Sequence, residues 1–421
     1  MIYIRDLIRK KRNKEELTQE EIEFFIDAYY SDEILREQAS ALLTLMYTNG
    51  LSVKEMTWLT NKVAESGKLQ ELYKSSDSVL EIHPIGGVDD KVVIILMAIC
   101  SALKLPVVKI VDREIGFLDR LVGINGYKFE TDFNIINEKI QKKDIVIVEE
   151  PVDIAPVEKK LYKLRNDIAC NDDISLIAMS LMSQKIAIGM KNLVFDISYG
   201  DKAYVKHLKD AKLLAKYLIQ MGKELKKGVK CIITSLDEPV GKMFGNSLEI
   251  KEIIDALKGN MSDDVEDLVY EIGNYILMLV NESNDKKRNI RLIKEMIENG
   301  SALEKFNEFL SQSETEVLEP IHNVPVISPF EGYIEEINMS IIRTTAKELN
   351  AIRYSKEDYL DVGAGIEFTK KIGDKIEKGE ILGYIYTNDE NKINPAIENF
   401  KDAFKVSNKK VKRESRIKEK I

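Results

Sequence analysis

Three patterns in the sequence predict an α/β protein built in three parts. The first seventy residues carry apolar positions at helical spacing, from about Val79 short β-branched runs alternate with helices, and from Val324 strand patterns with glycine turns take over. The expected architecture is a small all-helical domain, a larger α/β domain with a central mixed sheet, and a C-terminal α+β barrel-like domain. At 421 residues the chain exceeds one ordinary core, so several domains are expected.

The helical part begins with local start signals. Thr18 with Glu21 three residues on has the form of a capping box, and Ile22, Phe25, Ile26 and Tyr29 follow at helical spacing. A second helix runs through Ala39, Leu42, Leu43 and Met46, with Asn49-Gly50 as its stop. A third starts at Ser52, with Glu55 completing another box. Lys91 to Leu103 is apolar on most sides, hence a buried helix. Val107 to Val111 and Ile145 to Val148 read as interior parallel strands. Asp172 to Ile188 returns to helix, Asn192 to Ile197 and Val229 to Thr234 read as buried strands, and helices dominate from Asn246 to about Phe309.

Ser328 to Gly332 opens the last part with alternating strands, and Ile372 to Glu380 reads as strand, turn, strand. That turn resembles the hammerhead of biotinyl and lipoyl carrier domains. The carrier lysine has no counterpart, since the matching region reads Asn338-Met339-Ser340, so a structural barrel is expected. The basic tail from Lys401 to Lys420 reads as a solvated terminal helix or frayed end.

Composition narrows the function. A net charge of −9 argues against nucleic acid as the main partner. No apolar run reaches eighteen residues, and the amino terminus lacks a signal-peptide h-region, so neither a membrane span nor secretion is expected, and the location expected is cytoplasmic. Cys100, Cys170 and Cys231 lie far apart and read as free thiols. His83, His207 and His322 are equally scattered and offer no metal-ligand spacing.

The segment richest in chemistry is Glu81-Ile82-His83-Pro84-Ile85-Gly86-Gly87-Val88-Asp89-Asp90-Lys91. Adjacent glycines ahead of a helix let backbone amides approach an anion at the helix N-terminus, although such a turn is more often only a turn. Its neighbours add weight. Asp6-Leu7-Ile8 with Lys10-Lys11-Arg12, Tyr162-Lys163-Leu164-Arg165-Asn166-Asp167, the helix Asp173 to Ala187, Glu238-Pro239-Val240-Gly241 and Gly245-Asn246-Ser247-Leu248-Glu249 follow in order. Together they resemble the pyrimidine-nucleoside (thymidine) phosphorylases over essentially the whole chain.

The resemblance implies reversible phosphorolysis of thymidine or uridine to the free base and a sugar 1-phosphate, as in nucleoside salvage, by a homodimer. Phosphate would be the co-substrate, with no other cofactor, and His83 the matching catalytic histidine. It also implies a helical domain (1–70 with 160–190) that carries the base, an α/β domain (75–155 with 191–320) that carries phosphate, and a third domain (325–421). Orthophosphate must be positioned and the departing base stabilised, and closure of the two sides excludes water. On the base side, Arg165 and Ser180 match the family's pyrimidine-contacting residues, with Tyr162 a candidate wall. The family's base-binding lysine falls on Gln184, and Lys185, about 100° further round the helix, is a further candidate for the base.

On the phosphate side the match is poor. The family motif of lysine, histidine, serine, threonine, glycine, glycine, valine, glycine, aspartate retains only His83, Gly86, Gly87, Val88 and Asp90. Ile82, Pro84, Ile85 and Asp89 replace the rest. In the second phosphate segment Val111 stands for a serine, Asp112, Arg113 and Glu114 follow, and the family threonine is missing. Losing one preorganised donor costs roughly 10²–10³ in rate, so the combined losses should remove most phosphorolysis even without additivity. Asp89 is expected to pair with Lys91 or Arg113. A potassium site described in the family would involve the glycine loop, the loop at Val240, Gly241 and Met243, and Glu252. Here an ammonium would take the cation's place, and no metal is expected.

Two main readings remain open. One is an active phosphorylase that holds phosphate differently, with Lys109 and Arg113 as substitutes. The other is a catalytically silent paralogue that binds a pyrimidine or a partner protein. A transferase like the anthranilate phosphoribosyltransferases ranks below both, because Ile85-Gly86-Gly87 lacks their phosphate-loop form.

Overall fold

The computed structural model describes residues 1–69, 79–86, 90–111, 132–149, 154–200, 203–311, 320–353, 355 and 357–421. Four helices open the chain: α1 (Ile4–Arg12), α2 (Gln19–Tyr30), α3 (Arg36–Asn49) and α4 (Val53–Ala64). Both expected capping boxes form, Thr18 with Glu21 and Ser52 with Glu55. Gly50 ends α3 with a φ of 76°. Glu55 has a second role, because its buried carboxylate accepts from Lys11 Nζ at 3.1 Å and from Leu17 N at 2.8 Å, which ties α4 to α1.

The α/β part follows, with β1 (Leu80–Ile85), α5 (Asp90–Ala102), β2 (Val108–Val111), α6 (Phe133–Lys142) and β3 (Val146–Glu149). It continues with α7 (Pro156–Asp167), α8 (Ile174–Ile188), β4 (Asn192–Tyr199), α9 (Leu208–Glu224) and β5 (Gly228–Ser235). β1, β4 and β5 are parallel neighbours, and β2 pairs in parallel with β3. A parallel bridge between Leu80 and Val107 links the two sets.

Strand periodicity decides what each face meets. Leu193, Phe195 and Ile197 point to one side, where α4, α8 and α9 cover them, and Val194 points to the other with Ile82. The second face packs on α5, which is buried along nearly its whole length. Beyond β6 (Met243–Phe244), the helices α10 (Asn246–Leu257), α11 (Asp263–Asn281), α12 (Lys286–Glu298) and α13 (Ser301–Leu310) complete that layer.

The last part contains β7 (His322–Ile327), β8 (Gly332–Ile337), α14 (Met339–Glu348), β9 (Gly365–Phe368), β10 (Lys375–Ile376), β11 (Ile381–Thr387), α15 (Ile393–Asp402) and β12 (Phe404–Ser407). Two antiparallel sheets, β6-β9-β11-β7 and β10-β8-β12, enclose a core around Phe368, Phe400 and Phe404. Asn338, in the region where a carrier lysine would fall, caps α14 by accepting from Ser340 N and Ile341 N.

The tail also departs from expectation. In place of a frayed end, β13 (Ile417–Lys420) pairs antiparallel with β5, which makes the central sheet mixed in the order β1-β4-β5-β13. Arg416 is buried just before it and donates to the carbonyls of Ser235, Glu238 and Pro239. The charged residues of this strand carry no apolar signal, and the sheet edge supplies its backbone partners. All three cysteines are free and buried.

Candidate functional site

The end of β1 and the two helices α7 and α8 define a cavity of about 520 Å³. It is lined by His83, Pro84, Ile85 and Gly86 from the strand side, by Glu158, Tyr162 and Arg165 from α7, and by Ser180 and Gln184 from α8, with Tyr204 opposite. Strand alternation explains the first wall. Ile82 belongs to the α5 core, so Glu81 and His83 face the helical layer. Gly86, at φ 73°, is needed at the strand's end, since a Cβ there would lie 2.7 Å from Tyr204 N.

Beneath His83 lies a fully buried carboxylate. Glu81 Oε1 is 2.9 Å from Lys185 Nζ, 3.8 Å from Lys109 Nζ and 3.4 Å from His83 Nδ1. Burial alone would raise the Glu81 pKa, but the Lys185 ammonium, aided by His83 and Lys109, holds it down at about 2. Burial, with the Lys185 and Lys109 ammoniums beside it, pushes the His83 imidazole down to about 3, so it is neutral near pH 7. Burial likewise lowers Lys109 to about 8, against the pull of Glu81.

On the helical wall, Arg165 is 1% exposed and donates from NH1 to Leu176 O at 3.3 Å. Its Nε has no hydrogen-bond partner among the described residues. Glu158 Oε1 lies 3.7 Å from Arg165 NH1 and accepts a hydrogen bond from Ser180 Oγ. Tyr162 is about half exposed on the cavity's edge, with its ring 5.8 Å from the Arg165 guanidinium.

The structure therefore brings together His83, Pro84, Gly86, Tyr162, Arg165, Ser180 and Gln184. Other expected site residues lie elsewhere. Lys185, expected to touch the base, turns to Glu81 instead, because one step round α8 changes the face it occupies. Ile82 and Val111 are buried in apolar core, and Asp90 opens α5. Gly87, Asp89 and Arg113, along with Val88 and Glu114, lie outside the described residues.

Lys91 supplies an ammonium beside Glu252, where the family resemblance implied a cation's place. Asp89, expected to pair with Lys91 or Arg113, lies outside the described residues, and the Lys91 ammonium sits 2.6 Å from Glu252 Oε2 and 2.5 Å from Met243 O. Glu252 further accepts from Lys242 N at 2.6 Å and Met243 N at 3.2 Å. Gly241 makes this wrap feasible, since a Cβ there would lie 2.3 Å from Glu252 Oε1. An ammonium thus sits where the loop at Val240 to Met243 meets Glu252.

Sequence reasoning missed Glu81, Glu158 and Tyr204. Glu158 is three residues into α7 and its partner Ser180 is on another helix, so nothing in its local spacing marks it.

The cavity thus lies between a helical layer and the parallel strands β1, β4 and β5 of the mixed sheet. Family models match the chain: one described as glycosyl transferase family, helical bundle domain, matches residues 5–67, and one described as glycosyl transferase family, a/b domain, matches residues 76–303. A third, the pyrimidine nucleoside phosphorylase C-terminal domain, matches residues 333–407. The chain is 33% identical over 401 residues to the pyrimidine-nucleoside phosphorylase of Staphylococcus haemolyticus, covering 92% of each. It is also 33% identical over 399 residues to that of Bacillus subtilis, again covering 92% of each. The chain belongs to the pyrimidine-nucleoside phosphorylase family. Among solved structures, an anthranilate phosphoribosyltransferase from Thermus thermophilus aligns with a TM-score of 0.55 at 14% identity, covering 73% of this chain and 98% of that one, which is a likeness of fold.

Proposed function

We propose that the cavity binds a pyrimidine nucleoside or its base, and that ordinary phosphorolysis has been lost with the phosphate side. The observation that carries this reading is the cavity's asymmetry. Its helical wall supplies Arg165, Ser180 and Gln184 for a polar base edge, with Lys159 and Lys163 also on the lining, whereas among the described residues its strand wall has Pro84 and Ile85, which offer neither a cation nor a hydroxyl donor. Lys109, the described candidate to replace the missing cation, is buried and directs its ammonium to Glu81 and to Ile82 O at 3.4 Å. An ammonium engaged there is poorly placed to hold a transferring phosphate.

His83 remains on the cavity as a neutral imidazole, held from below by Glu81. It can exchange a hydrogen bond with a sugar or base, but without an anchored anion it has no nucleophile to assist. The homodimer that the family resemblance implies is part of the same proposal. Calorimetric titration of uracil and uridine into the full chain tests the binding claim. The expected result is saturable binding that Arg165→Ala weakens at least tenfold; no binding of either compound would overturn the base-site reading.

A further inference from the structure

The hydrogen-bonding polarity of the cavity is set by a residue that the base-site match does not include. Glu158 is 3% exposed and sits in the first turn of α7, where the helix N-terminus favours a negative charge. Ser180 Oγ donates to its Oε1. A hydroxyl has one proton, so Ser180 has given its proton away and can offer a ligand only lone pairs. Next to this pair stands Arg165, which has only donors and whose buried Nε has no partner among the described residues. One helical turn beyond Ser180, Gln184 contributes an amide that can donate or accept.

The polar wall therefore runs donor, acceptor, then an adaptable amide: Arg165, Glu158 with Ser180, and Gln184. A 2,4-dioxopyrimidine presents carbonyl, ring N–H and carbonyl along one edge, and each group meets its complement in that order. A 4-amino-2-oxopyrimidine presents a bare ring nitrogen at the central position. Its lone pair would face the lone pairs of Glu158 and Ser180, a repulsive contact with no hydrogen bond to offset the lost hydration.

We propose that Glu158 is a specificity-determining residue, selecting ring N–H-bearing dioxopyrimidines over amino-pyrimidines by accepting from that N–H and by committing the proton of Ser180. The proposal rests on the base-site reading above.

The test is calorimetric titration of uracil and cytosine into the full chain and its Glu158→Gln variant. The wild type should prefer uracil by about ten- to a hundredfold. Glu158→Gln, whose amide can turn either group to the ligand, should bring the two affinities within about threefold, mainly by weakening uracil. An unchanged ratio in a variant with normal thermal unfolding would overturn the proposal while leaving the base site intact. Failure of the wild type to bind either base would overturn the base-site reading itself. Should Glu158→Gln not fold, Glu158→Asp keeps the acceptor at shorter reach: weaker binding of both bases with uracil still preferred supports the proposal, and equal affinities contradict it.

Discussion

Replacing Lys91 with methionine removes one ammonium from a site built around it. The side chain is 2% exposed, and its ammonium contacts Glu252 and Met243 O. With the ammonium gone, the Glu252 carboxylate, 11% exposed, keeps the amides of Lys242 and Met243 but has lost its counter-charge. Breaking one half of a buried ion pair costs about 3–5 kcal/mol. In an α/β unit of this size, each kcal/mol corresponds to roughly 2–4 °C of melting temperature. Lys91→Met should therefore melt about 10 °C lower by scanning calorimetry. Adding Glu252→Met should recover part of that loss, since no charge is then left uncompensated. Potassium should raise the melting temperature of Lys91→Met more than sodium does, and should leave the wild type unmoved. A single variant within about 1 kcal/mol of wild type, or a double variant no more stable than the single, would refute the reasoning.

Other consequences follow from the buried charges. The His83 imidazole falls from an ordinary 6.5 to about 3, and the Glu81 carboxylate from 4.5 to about 2. In both cases the unfolded chain takes up protons that the folded chain refuses. The stability they contribute is complete above pH 6.5 and is lost as pH falls, first through His83 and below 4.5 also through Glu81. Melting temperatures from pH 7 to pH 4.5 should fall in the wild type and fall less steeply in His83→Phe. At the chain's end, Arg416→Ala leaves the carbonyls of Ser235, Glu238 and Pro239 without their shared donor. It should cost about 2–3 kcal/mol, read as a lower denaturant midpoint at unchanged slope.

What the sequence revealed and what it concealed divide along physical lines. Thr18 with Glu21, and Ser52 with Glu55, were readable because both partners of each box lie three residues apart. The unbroken apolar run Leu193, Val194 and Phe195 announced a strand covered on both faces. Arg165, Ser180 and Gln184 emerged through family resemblance, and the structure does gather them on one cavity. Long-range charge pairing left no such trace. Lys91 meets Glu252 across 161 positions, and Lys185 meets Glu81 across 104. Only family resemblance pointed to an ammonium beside Glu252, and nothing in the spacing of Lys185, a candidate for the base, pointed to Glu81. The β13 strand was hidden for a related reason: its register is fixed by the backbone edge of β5, and its own side chains are mostly charged.

The central claim is a base-binding cavity whose phosphate chemistry has gone. Its most direct test is base release from uridine and thymidine in excess phosphate, measured beside the Bacillus subtilis relative under the same conditions. The account predicts turnover lower by at least about a thousandfold, consistent with the loss of several anion donors, together with retained uracil binding. Turnover within tenfold of that relative would contradict it.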